Sequence, residues 1–240
     1  MSWKSCFAWQ VLSAYYTLVF KQPFPKNPYF LGDKSQNVPE ADVGRIGLFG
    51  VSKGGEFALV GASRFPWVKA AVGCVPSDVV WMGFGQGEDE LPHRSTWALD
   101  DTPLPFVPLY PYADKRYRDN TERYERSRRF HPQASDAARI PIERTKARLL
   151  LIGSDRDEVW ASGAMSRNVS AAMSRAGLGE RAELMVFDKA GHAVCGDGSF
   201  PVRAYGKEDP SMPDLRELNA EGHATVKAFR RSVNFLKSSL

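Results

Sequence analysis

The stretch Arg45-Ile46-Gly47-Leu48-Phe49-Gly50-Val51-Ser52-Lys53-Gly54-Gly55-Glu56 decides how the remainder of this chain is read. An apolar run, Ile46 to Phe49, ends in Gly50-Val51-Ser52-Lys53-Gly54, the G-x-S-x-G pattern of a nucleophile elbow. A serine hydroxyl is a weak nucleophile until a base takes its proton. The elbow turns the chain sharply from a buried strand into a helix and leaves Ser52 at the crest, where a histidine can reach it. Side chains two positions either side of the serine would collide in such a turn, which accounts for Gly50 and Gly54. The helix predicted from Gly54 to Ser63 points its positive N-terminal end at the site and favours a developing anion there. The same pentapeptide also suits a glycine-rich strand-to-helix turn with an incidental serine, so residues elsewhere must decide.

A chain of 240 residues suits one α/β domain, here 1–240, and can bury a sizeable core. Hydrophobic residues make up 43% and charged residues 25%, an ordinary globular composition. The net charge of +4 comes from Lys and Arg mixed with Asp and Glu, which argues against nucleic acid and is compatible with a small anionic substrate. Cys6, Cys74 and Cys195 show neither metal nor disulfide spacing, so the reading is no metal, no cofactor and a reducing, cytoplasmic compartment. The run Phe7 to Phe20 is interrupted by Gln10, Ser13 and two tyrosines and is too short to span a bilayer. Lys21-Gln22-Pro23 follows it in place of a small-residue cleavage site, so it reads as a buried strand. Ser238-Ser239-Leu240 is a poor relative of the peroxisomal Ser-Lys-Leu address and reads more simply as a frayed helix end.

Strands are predicted at Val11 to Phe20, Ile46 to Phe49, Val68 to Val75, Ala147 to Ile152 and Ala182 to Phe187. Helices are predicted from Gly54, from Ala161 to Ala176 with Gly177 as C-cap, and from Glu217 to Leu236. The alternation implies an α/β fold, a mostly parallel sheet with helices on both faces. One feature conflicts with it. Lys21 to Glu40 reads as loop, whereas two parallel strands need a crossover helix between them. From about 82 to 136 glycines, prolines, aromatics and then the charged run Lys115 to Arg129 replace apolar periodicity. That segment reads as a cap-like insertion above the strand ends, with the charged run as a solvated helix face.

Parallel sheets place their chemistry at the carboxyl ends of the strands. Ser52 follows one strand, Asp155 and Asp157 follow another, and His192 follows the last. Ser, then Asp, then His is the chain order of the α/β hydrolases. In that arrangement Ser52 attacks an acyl carbonyl, His192 takes the hydroxyl proton, and one of the two aspartates orients the imidazole. His93, His131 and His223 have no comparable placement and read as structural.

From about Arg45 onward the chain resembles the catalytic domain of the acyl-CoA thioesterase and bile acid-CoA:amino acid N-acyltransferase family, related to the dienelactone hydrolases. The resemblance rests on Ile46 to Glu56, Pro76-Ser77-Asp78-Val79-Val80-Trp81, Ser95-Thr96-Trp97, Pro103 to Pro108 and Ile140-Pro141-Ile142-Glu143. Asp157-Glu158-Val159-Trp160 and Ala190-Gly191-His192 complete it. It implies an α/β-hydrolase fold, a triad of Ser52, Asp157 and His192 with Asp155 as the alternative acid, and an oxyanion amide at Lys53. It also implies an acyl-CoA thioester as substrate. The conjugating branch of the family is similar but carries cysteine at the nucleophile, so Ser52 favours hydrolysis over transfer to an amine. Members of the family begin well upstream of the elbow with a strand and a glycine-containing loop that supplies a second oxyanion amide. No such loop is found before residue 45. The expectation is therefore a fold truncated on its N-terminal side and weak or no activity in this polypeptide. The alternatives are a dienelactone-hydrolase-like esterase or peptidase, and a non-catalytic remnant that persists as a binding protein.

Overall fold

The computed structural model describes residues 17–19, 45–83, 94–100, 102–109, 120–194 and 215–240, with side chains described outside 17–19 and 215–221. Five strands form one sheet: β1 (Thr17–Val19), β2 (Ile46–Val51), β3 (Val68–Cys74), β6 (Arg148–Ser154) and β7 (Ala182–Phe187), adjacent in that order. β2, β3, β6 and β7 run parallel. β1 pairs antiparallel to β2, with Thr17 opposite Gly50 and Val19 opposite Leu48. This resolves the conflict in the sequence, because antiparallel neighbours need no crossover helix. Of the expected strand Val11 to Phe20, only Thr17–Val19 is described, and the expected loop Lys21 to Glu40 lies outside the described residues.

The central strands are buried along nearly their whole length, as parallel strands covered on both faces must be. Side chains alternate between two apolar layers. Leu48, Ala71, Leu149 and Leu151 pack against α1 (Lys53–Arg64) through Ala58 and Leu59 and against α4 (Ser162–Arg175) through Val169 and Met173. Ala70, Val72, Leu150 and Ile152 pack on the opposite face against Ala224, Ala228 and Phe235 of α5 (Leu215–Ser239). α4 closes as predicted: Gly177 has φ 72°, and its N–H donates to Ser174 while the Leu178 N–H donates to Met173, a Schellman ending.

A third apolar cluster joins Val79, Trp81, Met82, Val107 and Leu109 to Tyr124 of α2 (Asn120–Phe130) and to Trp160. Two short strands, β4 (Ala98–Leu99) and β5 (Thr102–Pro103), and the helix α3 (Pro132–Ala137) complete the described part of the 82–136 segment. The charged run corrects an expectation. α2 is not merely a solvated face, because Arg123, Tyr124 and Ser127 are buried on its inner side. A second correction concerns Cys74, which is disulfide-bonded. Among the described residues no helix is long and apolar enough to cross a membrane.

Candidate active site

The elbow is built where β2 passes into α1. Ser52 has φ 57° and ψ −121°, a conformation that costs a non-glycine residue about 1–3 kcal/mol and persists only when its surroundings impose it. The Ser52 N–H donates to the Cys74 carbonyl at 2.9 Å, and the Ser52 carbonyl accepts from the Glu56 N–H at 2.9 Å. Glycine at 50 is obligatory, since a Cβ there would lie 1.9 Å from the Gly54 carbonyl oxygen. Gly55, for which the pentapeptide gives no rule, is excluded from growing by the Cys74 carbonyl oxygen 2.9 Å from its would-be Cβ.

His192 opens a single 3-10 turn after β7, and Asp157 sits in the turn after β6. Nε2 of His192 lies 2.8 Å from Ser52 Oγ, and Nδ1 lies 2.8 Å from each oxygen of Asp157. All three side chains are buried. A carboxylate can only accept, so Nδ1 carries the proton and donates to Asp157, leaving the Nε2 lone pair for the Ser52 hydroxyl. Asp157 is fixed in turn by its own loop: Oδ1 accepts from the Val159 and Trp160 amides at 2.9 and 3.1 Å.

Asp155, the alternative acid, is engaged elsewhere. Arg167 donates to both its oxygens at 2.6 and 2.7 Å, and these hydrogen bonds hold the carboxyl below its ordinary range. His131 stands just before α3 and His223 is exposed on α5, while His93 lies outside the described residues. Among the described residues no group of His, Cys, Asp or Glu could hold a metal ion.

Several further contacts support this arrangement, two of them from Glu158 and Trp160 of the Asp157-Glu158-Val159-Trp160 stretch quoted above. Trp160 sets its ring edge-to-face against His192, with centroids 5.6 Å apart, and donates through Nε1 to the Val75 carbonyl at 3.0 Å. Val75 is itself held at φ 41°. The Tyr124 ring packs edge-on against Trp160, with centroids 5.4 Å apart. The His192 N–H donates to Glu158 at 3.0 Å, and the Thr121 hydroxyl of α2 donates to the Asp157 carbonyl at 2.8 Å. Their acceptors or donors are backbone atoms distant in the chain, which no short motif encodes.

Lys53 is the first residue of α1, where helix amides point outward and favour negative charge. Its ammonium folds back onto Glu56, donating to Oε1 at 2.7 Å and Oε2 at 2.9 Å. Both groups are buried. Burial pushes the Glu56 carboxyl up and the Lys53 ammonium down, and each partner pulls the other back.

The sequence profile described as BAAT / Acyl-CoA thioester hydrolase C terminal matches residues 33–204. No curated protein matches the chain. Among solved structures, the chain is similar to an acylaminoacyl peptidase of Pyrococcus horikoshii, at 15% identity and a TM-score of 0.51 over 85% of this chain. It is similar also to a puromycin-hydrolyzing peptidase of Mycobacterium tuberculosis, at 14% identity and 0.47 over 83%. The chain spans 25% and 22% of those two proteins' lengths. The likeness to the first, with the parallel sheet and its flanking helices, makes the fold that of an α/β hydrolase.

Proposed function

The chain belongs to the BAAT / acyl-CoA thioester hydrolase C-terminal family, and from that membership we propose that it cleaves acyl-CoA thioesters through Ser52, His192 and Asp157. In this reading Ser52 Oγ attacks the thioester carbonyl while His192 Nε2 takes its proton. The oxyanion forms against the Lys53 amide at the positive end of α1. Collapse of the tetrahedral adduct breaks the C–S bond, and the imidazolium returns its proton to the departing thiolate. Water then attacks the acyl-serine with His192 again as base, releasing the carboxylic acid and restoring Ser52. Asp157 holds the Nδ1 proton throughout and stabilises the imidazolium. No cofactor enters any of these steps.

The observation that carries the reading is the pair of 2.8 Å contacts on opposite sides of His192. It is a geometry of nucleophile, base and orienting acid that a solvated surface histidine has no reason to adopt. Serine at position 52 accords with water as the acyl acceptor.

The test is labelling of the purified chain with a fluorophosphonate, beside Ser52→Ala. Hydrolysis of palmitoyl-CoA, followed by thiol release, is then compared with hydrolysis of a p-nitrophenyl ester. Labelling that disappears in the variant, with kcat/KM higher on the thioester, is the expected result. Labelling with ester turnover and no thioester turnover replaces the substrate with another ester or amide. Absence of labelling refutes the enzyme reading.

A further inference from the structure

The Glu56 carboxylate gathers donors from three segments of the chain. Besides the two bonds from Lys53, its Oε1 accepts from the Trp97 indole N–H at 2.7 Å and from the Trp81 backbone N–H at 3.3 Å. The Lys53 ammonium also lies 5.8 Å from the centroid of the Trp97 ring. Burying an ion pair is a poor way to stabilise a fold, since apolar residues of similar size commonly do as well or better. The pair therefore calls for a role other than stability.

Its position suggests one. The Ser52 carbonyl and the Lys53 N–H belong to the same peptide unit, which is planar and trans, so fixing the direction of one fixes the other. The Glu56 N–H binds the Ser52 carbonyl at 2.9 Å, and the Glu56 carboxylate binds the Lys53 ammonium. One residue thus holds the peptide by its carbonyl and by the side chain of the residue that carries its N–H. On the other side, the Ser52 N–H is anchored to the Cys74 carbonyl. A peptide next to a residue at φ 57° needs this restraint, because relaxation of Ser52 would swing the amide away.

We propose that Glu56, through its ion pair with Lys53, is a positioning residue that aims the Lys53 amide at the oxyanion formed on the acyl group at Ser52. The inference rests on the serine-hydrolase reading above. Glu56 touches no reacting atom and acts through the 52–53 peptide. Its effect falls on the transition state, where the negative charge appears, and not on substrate binding.

The experiment uses the full chain, wild type, Glu56→Gln and the double variant Lys53→Met/Glu56→Leu, which replaces the pair with apolar side chains. Fluorophosphonate titration counts competent sites in each. Hydrolysis of p-nitrophenyl acetate then gives kcat per titrated site and KM, and urea unfolding gives stability. The expected result is a fall in kcat per site of about 10–10² in both variants, with KM within about twofold, since a donor displaced but not deleted should cost less than the ~10²–10³ of outright removal. The double variant strands the Trp81 and Trp97 N–H groups that Glu56 accepts, so its urea midpoint should fall below that of wild type, and counting kcat per titrated site separates positioning from folding. Should Glu56→Gln not fold, the double variant decides. The inference is overturned if the double variant keeps kcat per site within about twofold of wild type, or if it fails to fold, which would make the pair a requirement of folding. Wild type that takes no label overturns the hydrolase reading itself before the variants are compared.

Discussion

Exchange of Asp157 for asparagine separates the two candidate acids more sharply than a truncation does. Asp157 Oδ1 accepts two backbone amides, from Val159 and Trp160, and asparagine can retain both only by placing its carbonyl oxygen there. Its NH2 group then occupies the Oδ2 position, 2.8 Å from His192 Nδ1. That group donates and opposes a proton on Nδ1, which favours Nδ1 as acceptor and the imidazole proton on Nε2. A protonated Nε2 donates to Ser52 Oγ and cannot take its proton. The nucleophile is switched off by tautomer with the loop geometry unchanged, a loss of about 10⁴-fold in turnover, or ~5 kcal/mol of activation energy. Asp155→Asn removes only the ion pair with Arg167, whose side chains are 42% and 49% exposed, so it should leave turnover within about twofold. The assay is the second-order rate constant for fluorophosphonate labelling, read beside urea unfolding of each variant. Near-normal labelling in Asp157→Asn with loss of labelling in Asp155→Asn would refute the assignment and the tautomer argument together.

Three further outcomes can be checked on purified protein. Gly177→Ala adds a Cβ that meets nothing within 4 Å, so its cost is the φ of 72° alone, about 1–2 kcal/mol in urea unfolding with labelling unchanged. Trp160→Phe keeps a ring near His192 but strands the Val75 carbonyl, for a loss of about 1–3 kcal/mol by the same measurement. Arg167→Ala should cost less than about 1 kcal/mol at neutral pH. Because Arg167 lowers the Asp155 pKa, the stabilisation exists above the ordinary value of 3.8 and is lost as pH falls through the lowered one. The gap between wild type and variant should therefore close in acid unfolding titrations, and a gap that widens would contradict the sign.

The residues that converge at the candidate site were legible because each stands where a parallel strand ends and turn chemistry begins. Ser52 is marked by the glycines its turn demands, and His192 and the Asp155–Asp157 loop by their places after apolar runs. The choice between the aspartates was not written in that spacing. It depends on Arg167, which takes Asp155 away, and on the amides of Val159 and Trp160, which hold Asp157. The direction of β1 was hidden for a related reason, since strand pairing is decided between segments and not within one. The inner face of α2 escapes apolar periodicity because it includes a buried arginine, Arg123. Thr121 carries no signal because it acts on a backbone atom 36 residues away, and Glu158, quoted within the Asp157 to Trp160 stretch, gives no hint of its partner 34 residues on.

Ser52 and His192 are 140 residues apart in the chain, and Asp157 and His192 are 35 apart, yet all three must meet at the same edge of the sheet. Contacts of such separation carry the full cost of loop closure before they return any stabilisation, and parallel pairing is slow for the same reason. β7, which delivers His192, adds to the sheet beyond β6, so the serine acquires its base only when the register of the whole sheet has been set. During refolding, reactivity at Ser52 should consequently appear with the slowest phase, after helix content has recovered. The nucleophile then serves as a clock for the end of folding.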